Sequence, residues 1–101
     1  MNVVITPKAQ TQIEHQLSFG IDRHGLATAQ KTFTRVERFF ATTLVDYPRT
    51  GTFLPDRRLY ESLIPRTPFV VIYRIEPDPQ LVRVLGFFHY AQDRTEFKPS
   101  E

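Results

Sequence analysis

The residues best suited to chemistry or binding lie together, directly after the most apolar stretch of the chain. His89, Tyr90, Gln92 and Asp93 follow the run LVRVLGFF at residues 81–88. An imidazole can exchange a proton near neutral pH, and it can donate or accept a hydrogen bond. The cluster therefore predicts either an acid–base site or a surface that binds a partner. The alternative is structural, with His89 bonded to backbone carbonyls.

Metal and thiol chemistry are not expected. The chain has no cysteine, and its three histidines, His15, His24 and His89, are widely spaced. The spacing does not match a metal-ligand motif, so neither a metal site nor a cofactor is predicted.

Positive charge is concentrated in the middle of the chain. The formal net charge is only +2, and the isoelectric point is about 9.2. Five arginines from Arg49 to Arg74 stand against two acidic residues, Asp56 and Glu61. This basic field suits nucleic acid or an acidic protein segment, although a solvated charged face has the same pattern.

Length and composition indicate one globular domain. The chain has 101 residues, of which 41% are hydrophobic and 24% are charged, enough for a single core. The apolar run in the N-terminal segment MNVVITPK is too short for a signal peptide or a membrane span. We expect a cytoplasmic protein with no membrane partner.

Two strands position the cluster. Residues 69–75 and 81–88 are rich in β-branched and aromatic side chains, which is typical of strands. Between them, residues 76–80 hold two prolines that cannot donate to a ladder, which predicts a hairpin loop. Tyr73 shares the parity of the apolar residues 69, 71 and 75, so it is predicted to lie in the core. Arg74 lies on the other face, as a charge at the end of the sheet or a partner for an acid such as Asp93.

Two amphipathic helices precede these strands. Residues 2–5 form a short strand, after which Thr6 is a good N-cap and Pro7 suits the first helical position. Apolar residues at 9, 13 and 17 form one stripe, and Gly25 is the predicted break. The second helix carries apolar residues at 29, 33, 36, 40 and 44, widened by residue 39, and Pro48 ends it.

The remaining segments complete an α+β fold. Residues 48–58 are predicted as a surface loop, residues 59–64 as a strand and residues 65–68 as a turn. The element order is β-α-α-β-β-β, with a helical hairpin packed on a mostly antiparallel sheet whose last three strands form a meander. Residues 1–94 are predicted to be a single domain, and the polar tail of residues 95–101 is expected to fray.

Three strings, in this order and spacing, resemble a known family. They are PRTG at residues 48–51, PFVVIYRI at residues 68–75 and FFHYAQDR at residues 87–94. With the element order, they make the chain similar to the RelE/ParE superfamily, the toxins of bacterial type II toxin–antitoxin systems, and most similar to its ParE branch. The resemblance covers essentially the whole chain, and it implies the same α+β fold.

The resemblance implies two activities for one fold. ParE-type toxins bind DNA gyrase and leave broken DNA, whereas RelE-type toxins cut messenger RNA on the ribosome. Cutting RNA through its 2′-hydroxyl needs a base, cations for the phosphate and an acid for the leaving oxygen. Where the nuclease carries cations, this chain has Val70 and Ala91, and no lysine lies between Lys31 and Lys98. The prediction is therefore a ParE-like gyrase inhibitor that acts by binding rather than as an enzyme.

Two alternatives stay open. Some nuclease relatives end their last strand in His-Tyr, as this chain does at His89-Tyr90. The resemblance then implies a catalytic set that adds Arg74, Arg66 and Glu61, with the ribosome and messenger RNA as the target. The other alternative is a toxin-fold protein that has lost toxicity and only binds an antitoxin.

The resemblance also implies a cognate antitoxin, with operator DNA as a candidate partner of the complex. A segment of the antitoxin would order on binding, as a helix in the helical-hairpin groove or as a strand on a sheet edge. Its predicted contacts are Phe19, Ile21, Arg35 and Phe39. The predicted contacts with the target are Arg58, Arg66, Arg74, His89, Tyr90, Gln92 and Asp93.

Overall fold

A computed structural model gives the fold over residues 1–77 and 80–99. The strands are β1 (Asn2–Ile5), β2 (Thr52–Leu54), β3 (Leu59–Leu63), β4 (Phe69–Glu76) and β5 (Leu81–His89). They form one sheet in the order β1-β5-β4-β3-β2, in which β1 runs parallel to β5 and the other neighbours are antiparallel. The α+β class and the meander of the last three strands are confirmed. The predicted hairpin loop at residues 76–80 includes residues 78–79, which lie outside the described residues.

Two long helices cover one face of the sheet, here called the helix face. They are α1 (Pro7–His24) and α2 (Leu26–Arg38), and α2 continues through a π-helical turn (Phe39–Thr43) into α3 (Leu44–Asp46). Gly25 separates α1 from α2 with a φ of 87°, a conformation that favours glycine, and this confirms the predicted break. The π-helical turn accommodates an extra residue, so both Phe39 and Phe40 are buried.

Thr6 joins the first helix to the centre of the sheet. Its Oγ1 accepts a hydrogen bond from the N–H of Ala9 at 3.3 Å, which confirms the predicted N-cap. The same hydroxyl donates to the carbonyl of Val84 at 2.9 Å, and the Thr6 N–H donates to that carbonyl at 3.1 Å. The start of α1 is therefore fixed over β5.

The segment predicted as a surface loop, residues 48–58, contains regular structure, so that prediction is wrong. A 3₁₀ turn (Pro48–Thr50) leads into β2, which extends the sheet beyond β3. The Tyr73 hydroxyl holds the turn, because it donates to the Pro48 carbonyl at 2.7 Å and accepts from the Gly51 N–H at 3.2 Å. Burial raises the pKa of Tyr73, so its hydroxyl keeps the proton that it donates. A Cβ at Gly51 would lie 2.8 Å from this hydroxyl oxygen, so the close approach requires glycine.

Both faces of the sheet bury apolar side chains. The cluster on the helix face joins β4 and β5 to the helices through Phe33, Val36, Phe39, Phe40, Leu44, Phe69, Val71, Tyr73, Val82, Val84 and Phe87. On the opposite face, here called the far face, Leu59, Ile72 and Leu85 form a second buried cluster. Tyr73 is fully buried on the helix face, as its parity predicts.

One extra residue interrupts the pairing of β5 with β4. Ile72 pairs with Gly86 and Tyr73 pairs with Val84, which leaves Leu85 between them as a β-bulge.

The bulge reverses the side-chain alternation of β5. Val84 packs in the helix-face cluster before the bulge, and Phe87 does so after it. The residues that face the helices therefore change from even to odd numbers. His89, at the end of the strand, consequently lies on the helix face beside Phe69.

The C-terminal tail packs on the far face, so the expectation that it frays is wrong for the segment that includes Phe97. The Phe97 ring lies edge-on to Phe88 with 5.1 Å between centroids, and the Lys8 Nζ lies 4.9 Å from its centroid. A Cβ at Gly86 would lie 2.9 Å from the Phe97 ring. Glycine at that position therefore allows the tail to cover the sheet.

We predict that Tyr73→Phe lowers the free energy of unfolding by about 1–3 kcal/mol. The substitution removes both hydrogen bonds that hold the turn at residues 48–51, and urea denaturation measures the loss. Tyr60→Phe is the matched control, because Tyr60 stacks on Tyr73 at 5.5 Å and its hydroxyl has no hydrogen bond among the described residues. Equal unfolding midpoints for the two variants would contradict this role of Tyr73.

Candidate functional site

A groove opens on the helix face beside the end of β5. Its floor is formed by Ala29, Phe33 and Phe69, and its walls include Phe19 and His89. The volume is about 310 Å³. The groove is therefore an apolar slot with a histidine at its rim, between the helical hairpin and the sheet.

The outer part of the groove is more polar. This part has a volume of about 380 Å³ and is lined by His15, Gln16, Phe19, His89 and Gln92. The inner part also borders His24. The structure thus brings all three histidines of the chain to one groove, although the sequence spaces them far apart.

His89 is held by its backbone neighbours and by two aromatic rings. Its Nδ1 accepts a hydrogen bond from the N–H of Ala91 at 3.1 Å. In the neutral ring the proton is therefore assigned to Nε2. The imidazole stacks on Tyr90 with 4.9 Å between centroids and meets the Phe69 ring edge-on at 6.2 Å. The structural alternative is corrected in one respect, because His89 accepts from a backbone N–H instead of donating to a carbonyl.

Beyond the end of β1, glutamine side chains accept hydrogen bonds from backbone N–H groups of β5. The Gln12 Oε1 accepts from the N–H of Phe87 at 2.9 Å. The Gln92 Oε1 accepts from the N–H of His89 at 2.7 Å and from the Gln16 side chain at 3.2 Å. Sequence reasoning missed Gln12 and Gln16, because their spacing of four predicts only a shared helix face.

The Asp93 carboxylate accepts hydrogen bonds within its own turn. Its Oδ1 accepts from the Thr95 N–H at 3.0 Å and from the Thr95 hydroxyl at 2.9 Å. The backbone bond first, and the hydroxyl bond second, lower the pKa of Asp93.

Arg66 lies in the turn between β3 and β4, at the same end of the sheet as the groove. It is a non-glycine residue with a φ of 61°, which is uncommon outside turns. Its carbonyl accepts from the Arg35 guanidinium at 3.2 Å. Arg35, a predicted antitoxin contact, therefore also ties α2 to this turn.

The predicted catalytic set is divided, because Tyr90 and Arg66 lie at the same end of the sheet as His89 but Glu61 and Arg74 do not. Glu61 forms an ion pair with Arg94 at 2.9 Å and shares the far-face side of β3 with Leu59. Arg74 lies five residues along β4 from Phe69, the partner of His89, which is about 17 Å at the usual rise per residue.

Arg74 and a second predicted target contact, Arg58, lie away from the groove. Arg74 forms an ion pair with Glu76 at 3.6 Å instead of with Asp93, and Arg58 lies beside it in the turn between β2 and β3. The bond from Arg83, with help from Arg74, lowers the pKa of Glu76. The predicted target residues therefore divide into two groups at opposite ends of the sheet.

The predicted antitoxin contacts also divide. Phe19 is 51% exposed and lines the groove, and Ile21 is half-buried on the same helix. Phe39 is only 5% exposed in the core. The π-helical turn places its side chain in the core cluster, so this predicted antitoxin contact is not part of the exposed surface.

Within residues 1–77 and 80–99, no group of three or more His, Asp or Glu side chains is arranged to hold a metal ion. No helix in that part of the chain is long and apolar enough to cross a membrane.

Comparisons with known proteins agree with this fold. A family model described as the ParE toxin of the type II toxin–antitoxin system parDE matches residues 3–94. The chromosomal ParDE toxin–antitoxin system from P. aeruginosa contains a chain with a TM-score of 0.71 and 18% identity, covering 88% of this chain and 95% of that chain. The toxin–antitoxin complex RelBE2 from Mycobacterium tuberculosis gives a TM-score of 0.62 at 24% identity, covering 87% and 95%. At these identities the structures show the fold alone. No curated protein sequence matches significantly.

We predict that Glu76→Gln is less stable than the wild type at neutral pH and that this difference shrinks as the pH falls below the ordinary carboxyl value of 4.5. The folded-state pKa of Glu76 is lowered, so its contribution to stability is complete above the unfolded value and is lost as the pH falls through the folded value. Urea midpoints over a pH series measure the effect. Glu96→Gln is the control, since Glu96 is exposed, and a difference that persists in acid would contradict the assignment.

Proposed function

The chain belongs to the ParE toxin family of type II toxin–antitoxin systems, and we propose that it acts by binding DNA gyrase rather than by cutting RNA. The observation that supports this proposal is that two of the groups that RNA cleavage would need, Glu61 and Arg74, lie apart from His89, Tyr90 and Arg66. His89 and Tyr90 lie at one end of the sheet, whereas Glu61 is paired with Arg94 and Arg74 with Glu76. An acid–base mechanism needs its groups within hydrogen-bond reach of one substrate.

The target surface proposed here is the end of the sheet beside the groove. Tyr90 is 60% exposed, and its ring stacks on His89, which restricts its motion. An exposed, restrained tyrosine suits the centre of a protein interface, because it contributes a large contact area at a small cost in conformational entropy. Arg66, Gln92 and Asp93 are exposed around it as a polar rim. An exposed aromatic ring with a polar rim suits binding to a protein partner.

We propose that the antitoxin inserts an amphipathic segment into the groove. Apolar side chains of that segment would meet Phe19, Phe33 and Phe69, and its polar face would meet His15 and His24. His89 borders both the groove and the proposed target surface. A bound antitoxin would therefore cover part of the surface that gyrase needs, which explains neutralisation by occlusion.

We predict that the purified toxin inhibits supercoiling by gyrase and traps cleaved DNA, and that Tyr90→Ala weakens both effects. Agarose gels of plasmid incubated with gyrase and toxin measure them. Tyr47→Ala is the matched control, because Tyr47 is also exposed, at 71%, but lies at the other end of the sheet.

Two results would contradict gyrase inhibition. The first is full supercoiling with no linear DNA at toxin concentrations that stop growth. The second is a primer-extension map of translated message with cuts that vanish in His89→Ala or Tyr90→Phe. That result would favour the ribosome-dependent nuclease.

We predict that Phe19→Ala weakens antitoxin binding by about 1–3 kcal/mol, because it removes a wall of the groove. Isothermal titration with the antitoxin encoded beside the toxin measures the change. Leu26→Ala is the matched control, since Leu26 is 57% exposed, comparable to Phe19, but does not line the groove. An equal loss in both variants, or no loss in either, would place the antitoxin elsewhere.

A further inference from the structure

The five arginines of residues 49–74 lie in three different parts of the fold. Arg66 lies beside the groove, and Arg57 lies over the Phe97 ring at 6.0 Å. The other three, Arg49, Arg58 and Arg74, line one open hollow of about 450 Å³ at the opposite end of the sheet. This arginine hollow, which also contains Phe53 and Tyr60, has no role in gyrase or antitoxin binding as proposed above.

Aromatic rings form a continuous ladder from the core into this hollow. Buried Tyr73 stacks on Tyr60 with 5.5 Å between centroids and 12° between planes. Tyr60 in turn meets Phe53 at 5.0 Å. Phe53 is 48% exposed, and among the described residues no cation lies over its ring. The outermost ring is therefore an open stacking platform on a rigid support.

Two of the three arginines are available to a ligand. Arg74 is engaged with Glu76 at 3.6 Å. Arg49 and Arg58 have neither an ion pair nor a side-chain hydrogen bond among the described residues. Arg49 is placed by the turn that the Tyr73 hydroxyl holds. Arg58 lines the hollow with a φ of 54°, which is uncommon for a residue other than glycine.

The lining of the hollow carries no carboxylate among the described residues. It combines the exposed face of Phe53 with the guanidinium groups of Arg49 and Arg58, for which the described residues provide no ion pair or side-chain hydrogen bond. Phosphate oxygens accept hydrogen bonds from guanidinium groups, and any unstacked base can lie on an aromatic ring.

We propose that the arginine hollow binds single-stranded nucleic acid, with one base stacked on Phe53 and the flanking phosphates bound by Arg49 and Arg58. An acidic peptide would satisfy the arginines but would leave the Phe53 face without a planar partner. A duplex would offer phosphates, but its bases are already stacked on one another. The hollow lies about 17 Å along β4 from the groove, so this contact adds to the proposed gyrase binding and does not depend on it.

Fluorescence anisotropy of labelled oligothymidylate and oligouridylate of about 12 nucleotides tests the proposal with the purified full chain. We expect saturable binding that weakens between about 50 mM and about 200 mM salt. Removing either Arg49 or Arg58 by alanine substitution should reduce the slope of log K against log salt by about 0.7. Comparing the two oligonucleotides separates DNA from RNA as the natural source of the strand.

The chain has no tryptophan, which allows a direct test of stacking. Phe53→Trp keeps a planar ring and should bind as the wild type does, and the fluorescence of the introduced tryptophan should be quenched by the oligonucleotide. Phe53→Leu keeps an apolar side chain without a stacking face and should raise the Kd roughly tenfold. Arg38→Ala, which removes one exposed arginine from α2, is the charge-matched control and should have little effect.

Four results would overturn the proposal. They are no saturable binding at the lower salt concentration, an equal loss of affinity in Arg49→Ala and Arg38→Ala, an unquenched tryptophan in Phe53→Trp, and more effective competition by polyglutamate or by a DNA duplex than by the unlabelled single strand. The last result would identify an acidic protein or duplex DNA as the partner of this surface.

Discussion

The bulge at Leu85 is the constraint on which the proposed antitoxin and target surfaces depend. A regular strand alternates its side chains, so Val82 and Val84 on the helix face would place His89 on the far face. The extra residue turns Leu85 into the far-face cluster and restores Phe87 and His89 to the helix face. Because Leu85 is almost fully buried, the bulge is supported by apolar packing. Without this one residue, His89 would not lie at the rim of the groove.

The sheet is covered on both faces, but by different means. The helices bury one face through a large apolar cluster, and the C-terminal tail covers the other through Phe97, for which Gly86 provides the space. The backbone hydrogen bonds on the two sides of β5 are likewise made by different partners. β4 pairs along its length, whereas β1 pairs only as far as Val84, beyond which Gln12 accepts from the Phe87 N–H. The polar face of α1 thus contributes to the sheet as well as to the groove.

The long β4–β5 pair separates two surfaces of different character. The groove end presents an apolar slot bordered by histidines, and the other end presents aromatic rings bordered by arginines. One buried side chain, Tyr73, links the sheet to the second surface by holding the turn that carries Arg49. Two separate surfaces on one small domain leave room for the separate partners proposed above. A fold does not by itself fix function, so the function depends on the side chains that these surfaces carry.

The sequence by itself determined the features that depend on local patterns. Thr6 caps α1, Gly25 breaks the helical hairpin, Tyr73 lies in the core, and the α+β class and family resemblance follow from the same strings. Each of these rests on periodicity or on backbone preference, which neighbouring residues encode.

Only the tertiary structure decided where the functional side chains meet. Strand β2 is three residues long, pairs with β3 and follows a turn that the Tyr73 hydroxyl holds, so no local pattern marks it. The side of the sheet that His89 faces depends on a bulge that only pairing with β4 defines. The five arginines of one basic stretch lie on three surfaces, because the β2–β3 and β3–β4 turns lie at opposite ends of the sheet and Arg57 packs over Phe97 on the far face. Contacts between residues far apart in the chain leave no periodic pattern in the sequence. For this reason, the residues that form each surface could be identified only from the folded structure.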